Sequence, residues 1–226
     1  MPRRHLPVTQ DLFASIASPP SPAGNVRLGD GAVVLKAFAA DEVPALLECV
    51  REIAAAAPFR HLITPGGYRM SVAMTNCGQV GWVSDRSGYR YDARDPESGR
   101  PWPVMPELFQ QLARRASAAA GFTNAVHDCC LINRYEPGSR LSLHQDKDER
   151  DPATPIVSVS MGVPATFLFG GLQRSDRPQR VLVGSGDVAV WGGPSRLAYH
   201  GVAPLREADH PLTGAHRINL TFRHAL

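Results

Sequence analysis

Residues 216–224 read HRINLTFRH. Ile218, Leu220 and Phe222 alternate with Arg217, Asn219, Thr221 and Arg223, a period of two. Successive side chains of a strand leave opposite faces, so this stretch predicts a strand with one apolar and one polar face. The apolar face can pack against a core. The polar face carries two arginines on one side, which call either for solvent or for an anion. Arginine grips carboxylates with two parallel N–H bonds.

Working back from that strand, the chain keeps the same character as far as residue 126. HDCCLINRYE, IVSVSMG, ATFLFGG, RVLVGSGDVAVWGG and LAYHGVA are short strand-like runs broken by Gly and Pro. Many short strands with frequent turn signals predict a sandwich or barrel. The fold expected is mainly β with flanking helices: a double-sheet jelly roll, or double-stranded β-helix, over about 126–226. One helix is expected from Asp41 to Ala57, with Asp41 near the N-cap and Pro44 in the first turn. The other is expected from Pro106 to Ala120, with Gly121 just past its end. GAVVLKAFA at 31–39 reads as a strand, and residues 59–104 as short strands and loops. Residues 1–30 include ASPPSPAGN, lack a usable period and read as a loose arm. The division expected is an arm at 1–30 and one domain at 31–226.

The chain of 226 residues is long enough for one domain with a full core. Hydrophobic residues at 43% and charged residues at 20% are ordinary for a soluble globular protein. A net charge of +3 permits an acidic partner such as nucleic acid without requiring one. Arg86, Arg90, Arg94 and Arg100 form one basic stretch, and Arg174, Arg177 and Arg180 another. Solvated surface is the plain reading of both. Cys49, Cys77, Cys129 and Cys130 form no CxxC pair, so reduced thiols and a cytoplasmic location are expected. Cys129 and Cys130 would face opposite ways on a strand. The start MPRRHLPVTQ is basic but no apolar run follows it, so no signal peptide is expected, and no membrane span either.

Residues 141–150, LSLHQDKDER, place His144, Asp146 and Asp148 at every second position. If extended, His144 and Asp146 point the same way. His200 lies in another strand-like run. Two imidazoles and a carboxylate are the ligand set of a non-haem Fe(II) facial triad, which leaves positions open for a co-substrate and O₂. A zinc site with the same ligands is also chemically possible. Asn133 and Tyr135 form a polar pair just upstream. His127, His210, His216 and His224 have no partner pattern and read as surface; His61 reads either way, and Trp191 as structural.

With these residues in view, the sequence resembles the AlkB family of Fe(II)/2-oxoglutarate-dependent dioxygenases that repair alkylated nucleobases. The stretches that carry the resemblance are FRHLITPGGYRMSVAMTNCG, GWVSDRSGY, PWPVMP, CLINRYEPGSRLSLHQDKDE, PIVSVSMGVPATFLFGG, GDVAVWGG and RINLTFR, in order from about residue 31 to residue 223. The resemblance implies Fe(II) on His144, Asp146 and His200, with 2-oxoglutarate and O₂ as co-substrates. Arg217 would pair with the distal carboxylate of 2-oxoglutarate, and Arg223 would support the end nearer the metal. Asn133, Tyr135 and Asn219 would complete that site. Trp82 would stack on a flipped base with His144 on its other side, and Met74 would line the pocket. Tyr89 and Asp148 would make polar contacts to the nucleotide, with Thr64 and Arg174 near the nucleic-acid backbone. Residues 59–104 would be the nucleotide-recognition region. The activity implied is oxidative demethylation of 1-methyladenine and 3-methylcytosine in DNA, with release of formaldehyde. The partner expected is single-stranded DNA, with double-stranded DNA and RNA as further candidates, bound by a monomer. Oxidation of a protein or small molecule on the same triad, and a binding module without catalysis, are the alternatives. Trp82 and the basic loops argue against the first, and the intact triad and arginines against the second.

Overall fold

The computed structural model describes residues 24–226. In chain order the first strands are β1 (Val26–Gly29), β2 (Ala32–Leu35), β3 (Arg60–Ile63), β4 (Arg69–Gly78), β5 (Gly81–Asp85) and β6 (Gly88–Asp92). Then come β7 (Cys129–Tyr135), β8 (Leu141–His144), β9 (Ile156–Gly162) and β10 (Ala165–Phe169). The last four are β11 (Gln179–Val183), β12 (Val188–Trp191), β13 (His200–Val202) and β14 (Arg217–Arg223). Helix α1 (Val43–Ala56) follows β2, and α2 (Glu107–Ala119) follows β6.

The strands form an eight-stranded sheet in the order β1-β2-β12-β9-β14-β7-β4-β3, a four-stranded sheet β11-β10-β13-β8 and the hairpin β5-β6. The two larger sheets face each other as a jelly roll, and the helices lie outside. The alternation in β14 explains the layering. Ile218, Leu220 and Phe222 join Val157, Val159 and Met161 of β9 in one apolar cluster with Leu46, Val50, Phe109 and Leu112 of the helices. The opposite faces of the same strands turn inward, toward the smaller sheet. There Ile156, Leu131 and Trp191 pack on Phe167, Phe169 and Val202. Full burial of each such side chain contributes about 1.5–3 kcal/mol, so both faces of the large sheet are held.

Helix α1 buries Val43, Leu46, Leu47, Val50 and Ile53, the spacing of one helical face. It begins after a short 3₁₀ turn at Ala40–Glu42, and no side chain caps it, so the expected Asp41 cap is absent. Gly121 ends α2 with φ +91, as a residue beyond the last turn requires. Gly162 makes the β9–β10 turn at φ +86, where a Cβ would lie 2.5 Å from the His216 carbonyl oxygen.

Four expectations change here. The arm expected at 1–30 ends earlier: Val26–Gly29 pairs with Ala32–Val34 as an edge hairpin, and the remainder of the arm, 1–23, lies outside the described residues. The strand expected over 31–39 stops at Leu35, because Ala37 takes φ +54 and turns the chain toward α1. RVLVGSGDVAVWGG is two strands rather than one run, with β11 in the small sheet and β12 in the large one. His127 is not a surface residue. Its Nε2 lies 3.0 Å from the Pro155 carbonyl oxygen, its ring meets Phe222 edge-on, and burial lowers its pKa to about 4.

The four cysteines are free. Cys129 and Cys130 do face opposite ways, since Cys130 enters the helix-side core and Cys129 a small cluster with Val80 and Ala225.

Candidate active site

The inner face of β14 supplies Arg217, Asn219, Thr221 and Arg223, all buried. The small sheet brings up the histidines. His200 on β13 is the cross-strand partner of His144 on β8, and their ring centroids are 4.4 Å apart. The expected alternation through Asp148 does not persist, because β8 ends at His144. Beyond it the loop turns Asp146 inward to 8% exposure, while Asp148 stays exposed. An oxygen of Asp146 lies 3.7 Å from Nε2 of each histidine. Ligand atoms of the three side chains all fall within 4.8 Å of one another.

The ring orientations suit a cation. Nδ1 of His144 lies 2.8 Å from the Ser142 carbonyl oxygen, and Nδ1 of His200 lies 3.0 Å from that of Ala198. A neutral ring donates there from Nδ1, and its Nε2 lone pair then faces Asp146. Burial, aided by His144, lowers the His200 pKa to about 4 against the pull of Asp146, so the ring is neutral at pH 7. Burial opposes the charge of Asp146, but Arg223 outweighs it, with help from His200, His144 and Arg196. The carboxyl is thereby held well below the usual range.

Next to this cluster sits an unsatisfied cation. Arg217 donates from Nη2 to Ser160 Oγ at 2.9 Å, while its Nε and Nη1 are buried with no partner. Its guanidinium lies 4.8 Å from the ring centre of Tyr135. An orphaned buried donor of this kind costs about 1–3 kcal/mol, more when charged. Asn133 donates to Asn219 at 3.3 Å and leaves its own Oδ1 unpaired, and Asn219 donates to Ser158 Oγ and the Val159 carbonyl. All these groups open into one cavity of about 860 Å³.

This chain belongs to the AlkB family. The model of the 2OG-Fe(II) oxygenase superfamily matches residues 31–223. The chain is 55% identical over 215 residues to the alpha-ketoglutarate-dependent dioxygenase AlkB of Salmonella typhimurium, covering 95% of this chain and 97% of that one. Identity to the Escherichia coli protein of the same name is 53% over the same shares. The human nucleic acid dioxygenase ALKBH1 is 34% identical over 121 residues, 54% of this chain and 31% of its own. Among solved structures, that of OsALKBH1 superposes with a TM-score of 0.74 at 31% identity, covering 86% of this chain and 96% of that one. Like the rest of its family, the protein is an Fe(II)- and 2-oxoglutarate-dependent dioxygenase with a jelly-roll fold.

The residues present fit the family's cofactors. Two imidazoles and a carboxylate make a facial donor set for iron, and the unpaired donors of the Arg217 guanidinium leave it able to take a carboxylate. The remaining residues singled out in the sequence line the same cavity: Thr64, Met74, Trp82, Tyr89, Tyr135, Asp148 and Arg174. Trp82 stacks on Tyr89 at 5.5 Å and 15°, and its Nε1 lies 3.5 Å from Asp148 Oδ2. Met74 is buried, and Arg174 is exposed with its guanidinium 5.9 Å from the ring centre of Tyr199.

Sequence reasoning passed over Ser158, Ser160, Glu149 and Arg196. The serines were legible, since IVSVSMG alternates just as RINLTFR does. Glu149 and Arg196 were not. Continued alternation from His144 puts Glu149 on the opposite face, and Arg196 sits in a loop without a period. Arg196 nonetheless donates to the Asp146 carbonyl at 2.7 Å and to Glu149 at 3.1 Å, with both side chains buried.

Proposed function

We propose that the protein demethylates N-alkylated bases, 1-methyladenine and 3-methylcytosine, in single-stranded DNA, and accepts RNA and double-stranded DNA as further substrates. One observation carries the reading. The His144–Asp146–His200 cluster and the guanidinium of Arg217, with Nε and Nη1 unpaired, open into the same cavity that Trp82, Tyr89 and Asp148 line. An oxidising centre and an aromatic platform therefore share one chamber.

In this reading His144, Asp146 and His200 hold Fe(II). Arg217 receives the distal carboxylate of 2-oxoglutarate on its guanidinium, and Asn133, Tyr135 and Asn219 complete its site. Iron bound there, with 2-oxoglutarate and O₂, supplies the oxidation that releases the N-methyl group as formaldehyde and leaves succinate and CO₂. Arg223 keeps Asp146 ionised and fixed. Trp82 offers its face to a base taken out of the stack, as a methyl group on the Watson–Crick edge demands. Asp148 accepts from the exocyclic amine of that base. Thr64 and Arg174 meet the sugar-phosphate chain, where a cation and a hydroxyl serve any sequence. The protein acts as a monomer in the cytoplasm. Among the described residues no helix is long and apolar enough to cross a membrane.

Mass spectrometry of a 3-methylcytosine oligonucleotide incubated with the protein, Fe(II), 2-oxoglutarate and air tests the reading. The expected product is lighter by one CH₂, and each omission abolishes the change. Full conversion with iron stripped, or no conversion in the complete mixture, rejects it.

A further inference from the structure

Behind the triad lies a sealed cluster of charges. Arg223 donates to Asp146 Oδ2 from Nε at 3.0 Å and from Nη2 at 2.9 Å. Arg196 holds the backbone of the same loop, at the carbonyls of Asp146 (2.7 Å) and Thr154 (3.1 Å). Glu149 stands between the two arginines. Its Oε2 accepts from Arg196 Nη2 at 3.1 Å, and its Oε1 lies 3.5 Å from Arg223 Nε. The Glu149 side chain is 3% exposed, Arg196 4%, and Arg223 and Asp146 7% each. Two cations and two anions thus balance out of water. Buried charges need such pairing, because an unpaired one is strongly destabilising. Without Glu149, both guanidinium charges would bear on Asp146 alone.

The last contact of Glu149 comes from outside the roll. Tyr91 on β6 donates its hydroxyl to Glu149 Oε1. In the β5–β6 register Tyr91 stands directly opposite Trp82. Strand β6 pairs only with β5 among the described strands, so this hydroxyl ties the outer strand of the hairpin to the body. The preceding loop residue, Asp148, meets Trp82 of the same hairpin. The loop that presents Asp146 is therefore clasped by arginines from within and by the hairpin from without.

We propose that Tyr91 and Glu149 are positioning residues for the Asp146 ligand. Through them the hairpin that bears Trp82 and the loop that bears the ligand hold one geometry. The inference rests on the metal-site reading given above. Loss of the Tyr91 hydroxyl leaves Glu149 Oε1 one donor short in a dry site. Glu149 then draws on Arg223, whose fork turns away from Asp146. Removing partners that orient metal ligands typically weakens metal binding about 10- to 100-fold.

Tyr91→Phe and Glu149→Gln, with 2-oxoglutarate present and nucleic acid absent, test this by two readouts. One is the dissociation constant for Mn(II), a probe for the iron site that does not turn over. The other is the visible absorption of the anaerobic Fe(II)–2-oxoglutarate complex. Glu149→Gln is expected to weaken Mn(II) about 10- to 100-fold. Tyr91→Phe is expected to weaken it several-fold, and both variants should shift the absorption band. Tyr91→Phe decides the matter if Glu149→Gln fails to fold, since it keeps the ring, touches no ligand and removes none of the four charges. A folded Tyr91→Phe protein with unchanged Mn(II) affinity and an unmoved band overturns the proposal, even if its melting temperature falls. Failure of the wild type itself to bind Mn(II) overturns the metal-site reading first, and the proposal with it.

Discussion

Arg217 has two buried nitrogens, Nε and Nη1, whose hydrogens no protein atom accepts, although Ser160 accepts from Nη2. That imbalance supports the proposed anchor role and yields the first prediction. Arg217→Lys keeps a charge but loses the fork, so 2-oxoglutarate affinity should fall by at least about 1.5 kcal/mol, roughly tenfold. Oligonucleotide affinity should hold. Calorimetric titration of both ligands checks this, and the reverse pattern removes Arg217 from the anchor role. Asp148 supports the second prediction. It is exposed, yet its carboxylate lies 3.5 Å from the indole N–H of Trp82, which sets it beside the platform and not in open solvent. Methylation at N3 leaves cytosine cationic and thymine neutral. A carboxylate there favours the cationic base through a charge-assisted bond of about 1.5–3 kcal/mol, or roughly 10- to 100-fold. Asp148→Asn should shrink the ratio of 3-methylcytosine to 3-methylthymine repair by up to that factor. If kcat/KM for the two substrates keeps its ratio, Asp148 has no part in the discrimination.

Among the elements, the β5–β6 hairpin is the one most exposed to a single change. Asn76 anchors it through both the amide N–H and the carbonyl of Trp82, and Ser84 donates to the Ile63 carbonyl. At its first residue, Gly81, a Cβ would stand 2.4 Å from the Trp102 ring and 2.8 Å from the Asn76 Cβ. Gly81→Ala must therefore displace the hairpin, Trp102 or both. The expected outcome is a lower melting temperature and weaker binding of the methylated strand, with 2-oxoglutarate affinity retained because its site lies on β7, β9 and β14. Equal losses of both ligands would mean that the hairpin and the roll are not separable. The elements were unevenly legible. RINLTFR and IVSVSMG declare their faces because both sides of the strand are buried among unlike neighbours. LSLHQDKDER misleads after His144, since a loop has no period and only its contacts decide which carboxylate turns inward.

For the whole molecule, stability should fall in mild acid. His127 is held neutral by burial, with a pKa of about 4 in place of its ordinary 6.5. Below pH 6.5 the unfolded chain takes up a proton at this residue that the folded protein refuses. Stability therefore declines from pH 6.5 toward 4 by about 1.4 kcal/mol per unit, roughly 3 kcal/mol in all, and this residue adds nothing further below 4. His127→Phe removes the proton difference and keeps an aromatic ring against Phe222. Urea unfolding at pH 7.5, 5.5 and 4.5 should show a flatter decline in the variant, at a cost near neutrality of about 1 kcal/mol for the lost bond to Pro155. Parallel declines in the two proteins would return the acid sensitivity to other groups.

The sequence by itself determined the strand faces and the two helices. These follow from short-range sterics and from the rule that apolar faces seek one another, both of which are written in period and spacing, whereas Thr64, Met74, Trp82, Tyr89 and Arg174 were legible as cavity residues only through the family resemblance. Only the tertiary structure decided how charge is shared around Asp146. Glu149, Arg196 and Tyr91 lie in a loop run DKDER, a turn GGPSR and a hairpin GYRYD, each of which reads as solvated polar surface. Pairing across the fold removes them from water, and the free energy of a charge depends on what surrounds it, not on its neighbours along the chain.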